Sequence, residues 1–515
     1  MLPFRRFLIP VPLARALAPV LCASLIPVLA LSAGCKTRPL EIGPGPDAAV
    51  TIVLVNPTTC SDCDPLSDVN TLRLDVVRSA TGEHIATDSS PYPGEPPSLP
   101  DLTGFGVVRV ELLGLSGNEV VSVGRTAPFA VAPGQRATIP MLFLPANRAI
   151  ALTAELVEAR SQHVAFRRID GRIALIGGVE PAGVRRFDSV EVYDPATHTF
   201  APDASGVPIP LFSAVNALDD GSLLLVGGEG STGVRQSGVQ VYEVSGEGLP
   251  GAMVLQSALP EPRSRGCVAR VGPQKGVVMG GVDPVSGDSV VDVMRLGAEG
   301  WEFTRAAVDG LDNAAVSACI GLDDGRVFVL GDDASQTGFF TYGDTDGSLT
   351  FASVAGGDSG DSGDSGDGDQ FVRSPTLYGL DGGLDDGLDD GRVWLTGGVR
   401  EGRVRSETYE IRADRGSFVP SMPMDVARAR PDVDAWLDPG TLAIGCGWAD
   451  DALTEGAEGV EILALDSEER LTVDLDRARP GCTMSVLPDG ALLVSGGFRA
   501  TDGDQVGAVI VLPYL

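Results

Sequence analysis

The chain has 515 residues, with 38 basic against 70 acidic side chains and a formal charge of −32. Lysine occurs only at Lys36 and Lys275, so composition argues against nucleic acid, whose binding needs clustered cationic side chains. Beyond the N-terminal leader no apolar run is long enough to span a bilayer as a helix.

Arg5, Arg6 and Arg15 stand before or at the start of an apolar run from Ala16 to Ala33 that carries no acidic residue. That pattern predicts an export signal over 1–34. It ends in Leu31-Ser-Ala-Gly-Cys35, which resembles a bacterial lipobox and implies lipidation of Cys35. Ser32 stands where the lipobox usually has leucine, so simple cleavage and a soluble secreted chain is the alternative. Lys36, rather than aspartate, follows the cysteine, and this favours the outer membrane. Residues 35–48 then read as a Pro/Gly-rich tether.

Short alternating runs follow, among them VTIVLV (50–55), TLRLDVV (71–77), GVVRVELLG (106–114) and ATIPMLFL (137–144). Strands of this number and spacing predict an immunoglobulin-like β-sandwich over 49–147.

From 148 onward one pattern recurs. An apolar run ends in a glycine doublet that opens at Gly177, Gly227, Gly280, Gly331, Gly397, Cys446 and Gly496, with Asp332 replacing the second glycine and Cys446 the first. The interval is about 50 residues, the signature of a repeat architecture. An Asp-Gly turn precedes most of these runs, at Asp170, Asp220, Asp324, Asp390 and Asp489. It predicts a tight hairpin in which both turn residues take positive φ. A third strand follows each doublet (VEVYD at 190–194, VQVYE at 239–243), and a bulky residue such as Phe200 or Trp301 opens a fourth.

This order resembles the kelch repeat, and the resemblance implies seven four-stranded blades of a β-propeller over 148–515. The last repeat lacks a fourth strand. LTAELVEAR (152–160) aligns with LTVDLDRAR (471–479), so 149–157 is expected to complete the last blade and close the ring, leaving no open array edge. The long interval before Gly397 holds two acidic low-complexity insertions within 356–391, including GGDSGDSGDSGDGD. A solvated loop is the expected reading, with weak Ca²⁺ binding as the alternative.

Outside the leader and Cys35, six cysteines remain. An even number in an exported chain suggests disulfides. Cys60 and Cys63 are near neighbours; Cys267 and Cys319 hold similar places in blades three and four; Cys446 and Cys482 belong to blades six and seven. The expected pairs are therefore 60–63, 267–319 and 446–482, with a redox or metal role for Cys60-x-x-Cys63 as the alternative.

Kelch propellers include copper radical oxidases, which implies a ligand set with two histidines. This chain has only His84, His163 and His198, dispersed along the sequence, and no catalytic, cofactor or metal residues are assigned. Gly228-x-Gly-x-x-Gly233 leads into a strand rather than a helix, so it offers no helix terminus for a phosphate. The expected function is a non-catalytic lipoprotein whose propeller binds a protein or glycan at the cell envelope. The candidate face is built by loops after the doublets, including 229–238 and 282–289 with Arg235 and Asp283. The alternatives are an exported enzyme with a site in the central funnel and a structural envelope component.

Overall fold

A computed structural model of the chain describes Glu41–Ile42 and residues 50–515, apart from 282–290, 310–315, 332–336, 343–348, 354–375, 380–392, 413–416, 498–506 and gaps of one to four residues elsewhere. The leader, Cys35, Asp283 and most of the acidic insertions lie outside the described residues. All regular structure described is β-strand.

The N-terminal strands form one eight-stranded sheet rather than the two packed sheets expected. Val50–Val55 joins it through a parallel pairing with Ala137–Pro145, and the path ends at His84–Pro91. Leu72, Leu74 and Val76, with Val108, Val110 and Leu112, bury one face together with Ile52 and Phe143. Alternation identifies such strands from sequence, but it does not say how their edges join.

The remainder is a seven-bladed propeller in which each described blade pairs its strands in chain order. The last blade takes its fourth strand from Ala149–Ala151, which pairs with Val509–Val511. Within a blade, the second strand is buried throughout, as in Ile173–Ile176, Leu223–Val226 and Leu492–Gly496. It has a neighbouring strand on each side and a neighbouring blade on each face.

The Asp-Gly turns differ in one respect from expectation. Only the glycine takes positive φ, as at Gly171, Gly221, Gly325 and Gly490. Gly171 N donates to Arg168 O at 2.9 Å, and Asp170 Oδ1 accepts from Arg172 N at 3.2 Å. This is a turn of α-type residues followed by a left-handed glycine, with the aspartate bonding the backbone two residues on.

The doublet marks the place where one blade touches the next. A Cβ on Gly496 would lie 2.2 Å from Arg160 O, across the junction that closes the ring. Cys446 holds the same position in blade six with φ 54°. There the side chain crosses the junction and bonds Cys482 of blade seven, with the two Cα atoms 5.6 Å apart. Cys60–Cys63 and Cys267–Cys319 are also disulfides, so all three pairs form in the expected pairing.

Three junctions are held by a buried arginine. Arg160, Arg263 and Arg428 precede the first strands of blades one, three and six. Each pairs with a buried carboxylate on the third strand: Arg160 with Glu191 at 2.7 Å, Arg263 with Asp292, and Arg428 with Glu461 at 3.2 Å. Each also donates to the doublet carbonyl, with Arg160 Nη1 at 2.8 Å from Gly177 O and Arg428 Nη1 at 2.9 Å from Cys446 O. A single guanidinium thus satisfies a strand end, a loop and a carboxylate at once.

The junction between blades six and seven carries a further side-chain ladder. Asp432 Oδ2 accepts from Met484 N at 2.7 Å, Asp434 Oδ2 accepts from Val486 N at 3.4 Å, and Trp436 Nε1 donates to Gly490 O at 2.8 Å. The second face of the N-terminal sheet docks beside this junction. Leu113, Val123, Leu142 and Leu144 share a core with Leu487, Ala491 and Leu512, at the Asp-Gly-turn end of blade seven. Arg125 Nη1 donates to Pro513 O at 2.8 Å, and Asn147 and Tyr514 bond each other in both directions.

Candidate functional site

Two residues after each buried arginine the chain bends sharply into the first strand of its blade. The residue at the bend has positive φ: Gln162 at 53°, Arg265 at 60° and Arg430 at 51°, with Phe212 at 55° and Gly481 at 68° in the corresponding places. These bends are stitched blade to blade. Gln162 N donates to Gly481 O at 2.7 Å, and Arg265 N donates to Phe212 O at 3.0 Å. The five residues therefore encircle the mouth of the central channel, at the doublet end of the ring and away from the docked N-terminal sheet.

Two of them are guanidinium groups three blades apart. Arg265 stacks 3.9 Å from the Phe212 ring centroid and lies 3.4 Å from Glu229 Oε1, while about half of its side chain stays exposed. Arg430 is exposed to solvent, yet its surroundings are dense enough that desolvation, followed by the charge of Arg265, holds its pKa below the ordinary arginine value. Among the described residues Arg430 has no hydrogen-bond or ion-pair partner. Arg265 and Arg430 thus stand close enough for the charge of one to act on the other.

Arg235 sits at the base of a short hairpin after the second doublet, bridged to Glu229 and half-buried. Its tip, Ser231 to Val234, is exposed, and Val234 is 60 % accessible. Asp283 and the 282–289 loop lie outside the described residues. Sequence reading missed Arg265, Arg430 and Phe212. The signal for the two arginines was there as Arg263-Ser-Arg265 and Arg428-Ala-Arg430, in which the first arginine is buried and the second reaches the mouth.

The histidines serve their own neighbourhoods. His163 Nε2 lies 2.7 Å from Thr483 Oγ1 and 3.1 Å from Ser495 Oγ, and burial pushes its imidazole down to about 3. His198 Nδ1 lies 2.7 Å from Tyr193 Oη, and burial pushes it down to about 4. Both rings are neutral at physiological pH and join strands across a junction or within a blade. Among the described residues no three His, Cys, Asp or Glu side chains converge as a ligand set.

No family model matches the chain. Kelch-like protein 35 of Mus musculus is 29% identical over 164 residues, which is 32% of this chain and 25% of that relative. The chain therefore spans about a quarter of the length of this curated relative. A solved structure of a fungal alcohol oxidase of the AA5 family, in complex with copper, superposes with a TM-score of 0.53 at 13% identity, over 70% of this chain and 75% of its own. That likeness is one of fold alone. Repeat and strand topology agree on a seven-bladed β-propeller, and the matched relative is itself named as kelch-like.

Proposed function

We propose that this kelch-repeat propeller is a binding module that holds an acidic segment of a partner protein over the mouth of its channel. The observation that carries this reading is an exposed Arg430 with no partner among the described residues, near enough to Arg265 to feel its charge. A carboxylate between them would relieve their mutual repulsion and give Arg430 the partner it lacks, and charge-assisted hydrogen bonds of this kind are the stronger ones. Phe212 backs Arg265, and the exposed 231–234 tip forms part of the rim.

A random-peptide display library screened on the purified chain tests this. Enrichment of acidic sequences, abolished by Arg265→Ala with Arg430→Ala, is expected. Enrichment with no acidic bias, or acidic binders indifferent to both substitutions, sinks the reading.

We further propose that the module is exported and anchored by lipid at Cys35, as the leader and lipobox-like run suggest. Three disulfides fit an oxidising compartment. Labelled fatty acid should enter the wild-type chain and be lost in Cys35→Ala; equal labelling of both would remove the anchor from the proposal.

A further inference from the structure

A second opening lies between the N-terminal sheet and blade six. It is a cleft of about 510 Å³, lined by Arg73, Asp75, Glu111 and Arg125 on one side and by Trp436 and Glu469, among others, on the other. Volumes of this order are typical of small-ligand sites.

The wall on the sheet side carries a row of polar residues, on the face whose other end holds Leu113, Val123 and Leu142. Thr87, Asp75, Glu111 and Arg125 stand directly opposite one another on four successive strands. Two carboxylates in direct register repel, so an interface that served only for docking would gain by replacing them. They are held instead by local partners. Thr87 Oγ1 donates to Asp75 Oδ1 at 2.6 Å, Arg73 Nε donates to Asp75 Oδ2 at 2.9 Å, and Arg125 Nε donates to Glu111 Oε1 at 2.8 Å. Arg125 is in turn fixed by Pro513 O and by the Trp436 ring, whose centroid lies 5.5 Å away. These side chains are therefore set in place without a ligand, on two units already locked together.

Some of their capacity is left over. Glu111 Oε2 accepts from no described residue, Arg73 keeps 38% of its side chain exposed, and Glu469 and Ser467 stand on the opposite rim. Three carboxylates and two guanidinium groups line the cleft, so hydrogen-bond acceptors and donors stand side by side with no cationic excess. A ligand whose hydroxyls both donate and accept would use both kinds of group, and Tyr514 and Leu437 provide apolar surface for its carbon skeleton.

We infer that this cleft binds a neutral oligosaccharide. It is a site separate from the channel mouth and does not depend on the reading of that mouth. Isothermal titration of the full chain with maltohexaose, cellohexaose and chitohexaose, with hexagalacturonate as the charged comparison, decides it. Saturable binding of at least one neutral probe is expected. Glu469→Ala, at an exposed position, should weaken it about fivefold or more while thermal melting stays as in wild type, and Arg73→Ala should weaken it as much while also lowering the melting temperature, because it takes a partner from Asp75. Arg430→Ala, at the mouth, should leave it unchanged. The inference is overturned if no neutral probe binds, if hexagalacturonate binds as tightly, or if both cleft variants bind like wild type.

Discussion

Blades six and two solve the same junction problem with opposite chemistry. In blade six, Arg428 and Glu461 are both fully buried, and Glu461 also accepts from Asp425 N and Val426 N. In blade two, the arginine position is Pro210 and the carboxylate position is Gln240, whose Nε2 donates to Pro208 O at 2.7 Å. Blade four has lost both charges as well, with Gly338 in register at the carboxylate position and Ala314 in the arginine position of the sequence. Blades one, three and six hold both halves and blades two and four hold neither, which avoids an uncompensated buried charge. Blade seven keeps Arg479 opposite Val509 and sends the guanidinium to Gly507 O instead.

The largest test of this contrast is to break the pair in blade six. Arg428→Met should cost about 3–5 kcal/mol in chemical denaturation, because Glu461 is left buried and charged. Adding Glu461→Gln should recover much of that loss, as the blade-two arrangement implies. A double variant no better than the single would mean the guanidinium acts only through the doublet carbonyl.

Next in size is the covalent tie across the following junction. Cys446→Gly with Cys482→Ala restores the glycine of the repeat and removes the disulfide, and should cost about 2–4 kcal/mol. Unchanged stability would show that the ladder from Asp432 to Trp436 holds this junction by itself.

A smaller effect, graded by pH, concerns that ladder. Burial pushes the Asp432 carboxyl up to about 7, with Asp434 adding to it and the Met484 N–H opposing. Its folded pKa thus lies above the ordinary aspartate value, so the proton binds the folded state more tightly. The stabilisation is complete below about pH 4 and is lost as pH rises through 7. Thermal melts of wild type should fall over that window relative to Asp432→Asn, and parallel curves would refute the assignment. The smallest effect belongs to blade two, where Gln240→Ala should cost about 1 kcal/mol for its one hydrogen bond to Pro208 O.

Much of the propeller was legible because its signals are local. An apolar second strand, a left-handed glycine after an aspartate and a doublet at a blade contact are each required within a few residues. Cys446 shows how far this reaches. It departs from the repeat at a position that needs positive φ, and the same departure places a thiol against the neighbouring blade. The N-terminal sheet was less legible. Leu72, Leu74 and Val76 mark a strand with one buried face, but nothing in their alternation says that Val50–Val55 would run parallel to Ala137–Pro145.

The sequence by itself therefore determined the repeat, the blade count and the strands, because periodicity and glycine chemistry act within a blade. Tertiary structure alone decided the two candidate sites. Arg265 acts on Arg430 only because a closed ring brings blades three and six around one axis. Arg125 and Trp436 share a cleft only because an apolar face seats the N-terminal sheet beside blade six. Neither juxtaposition has a spacing in the chain, since each depends on how whole sheets pack.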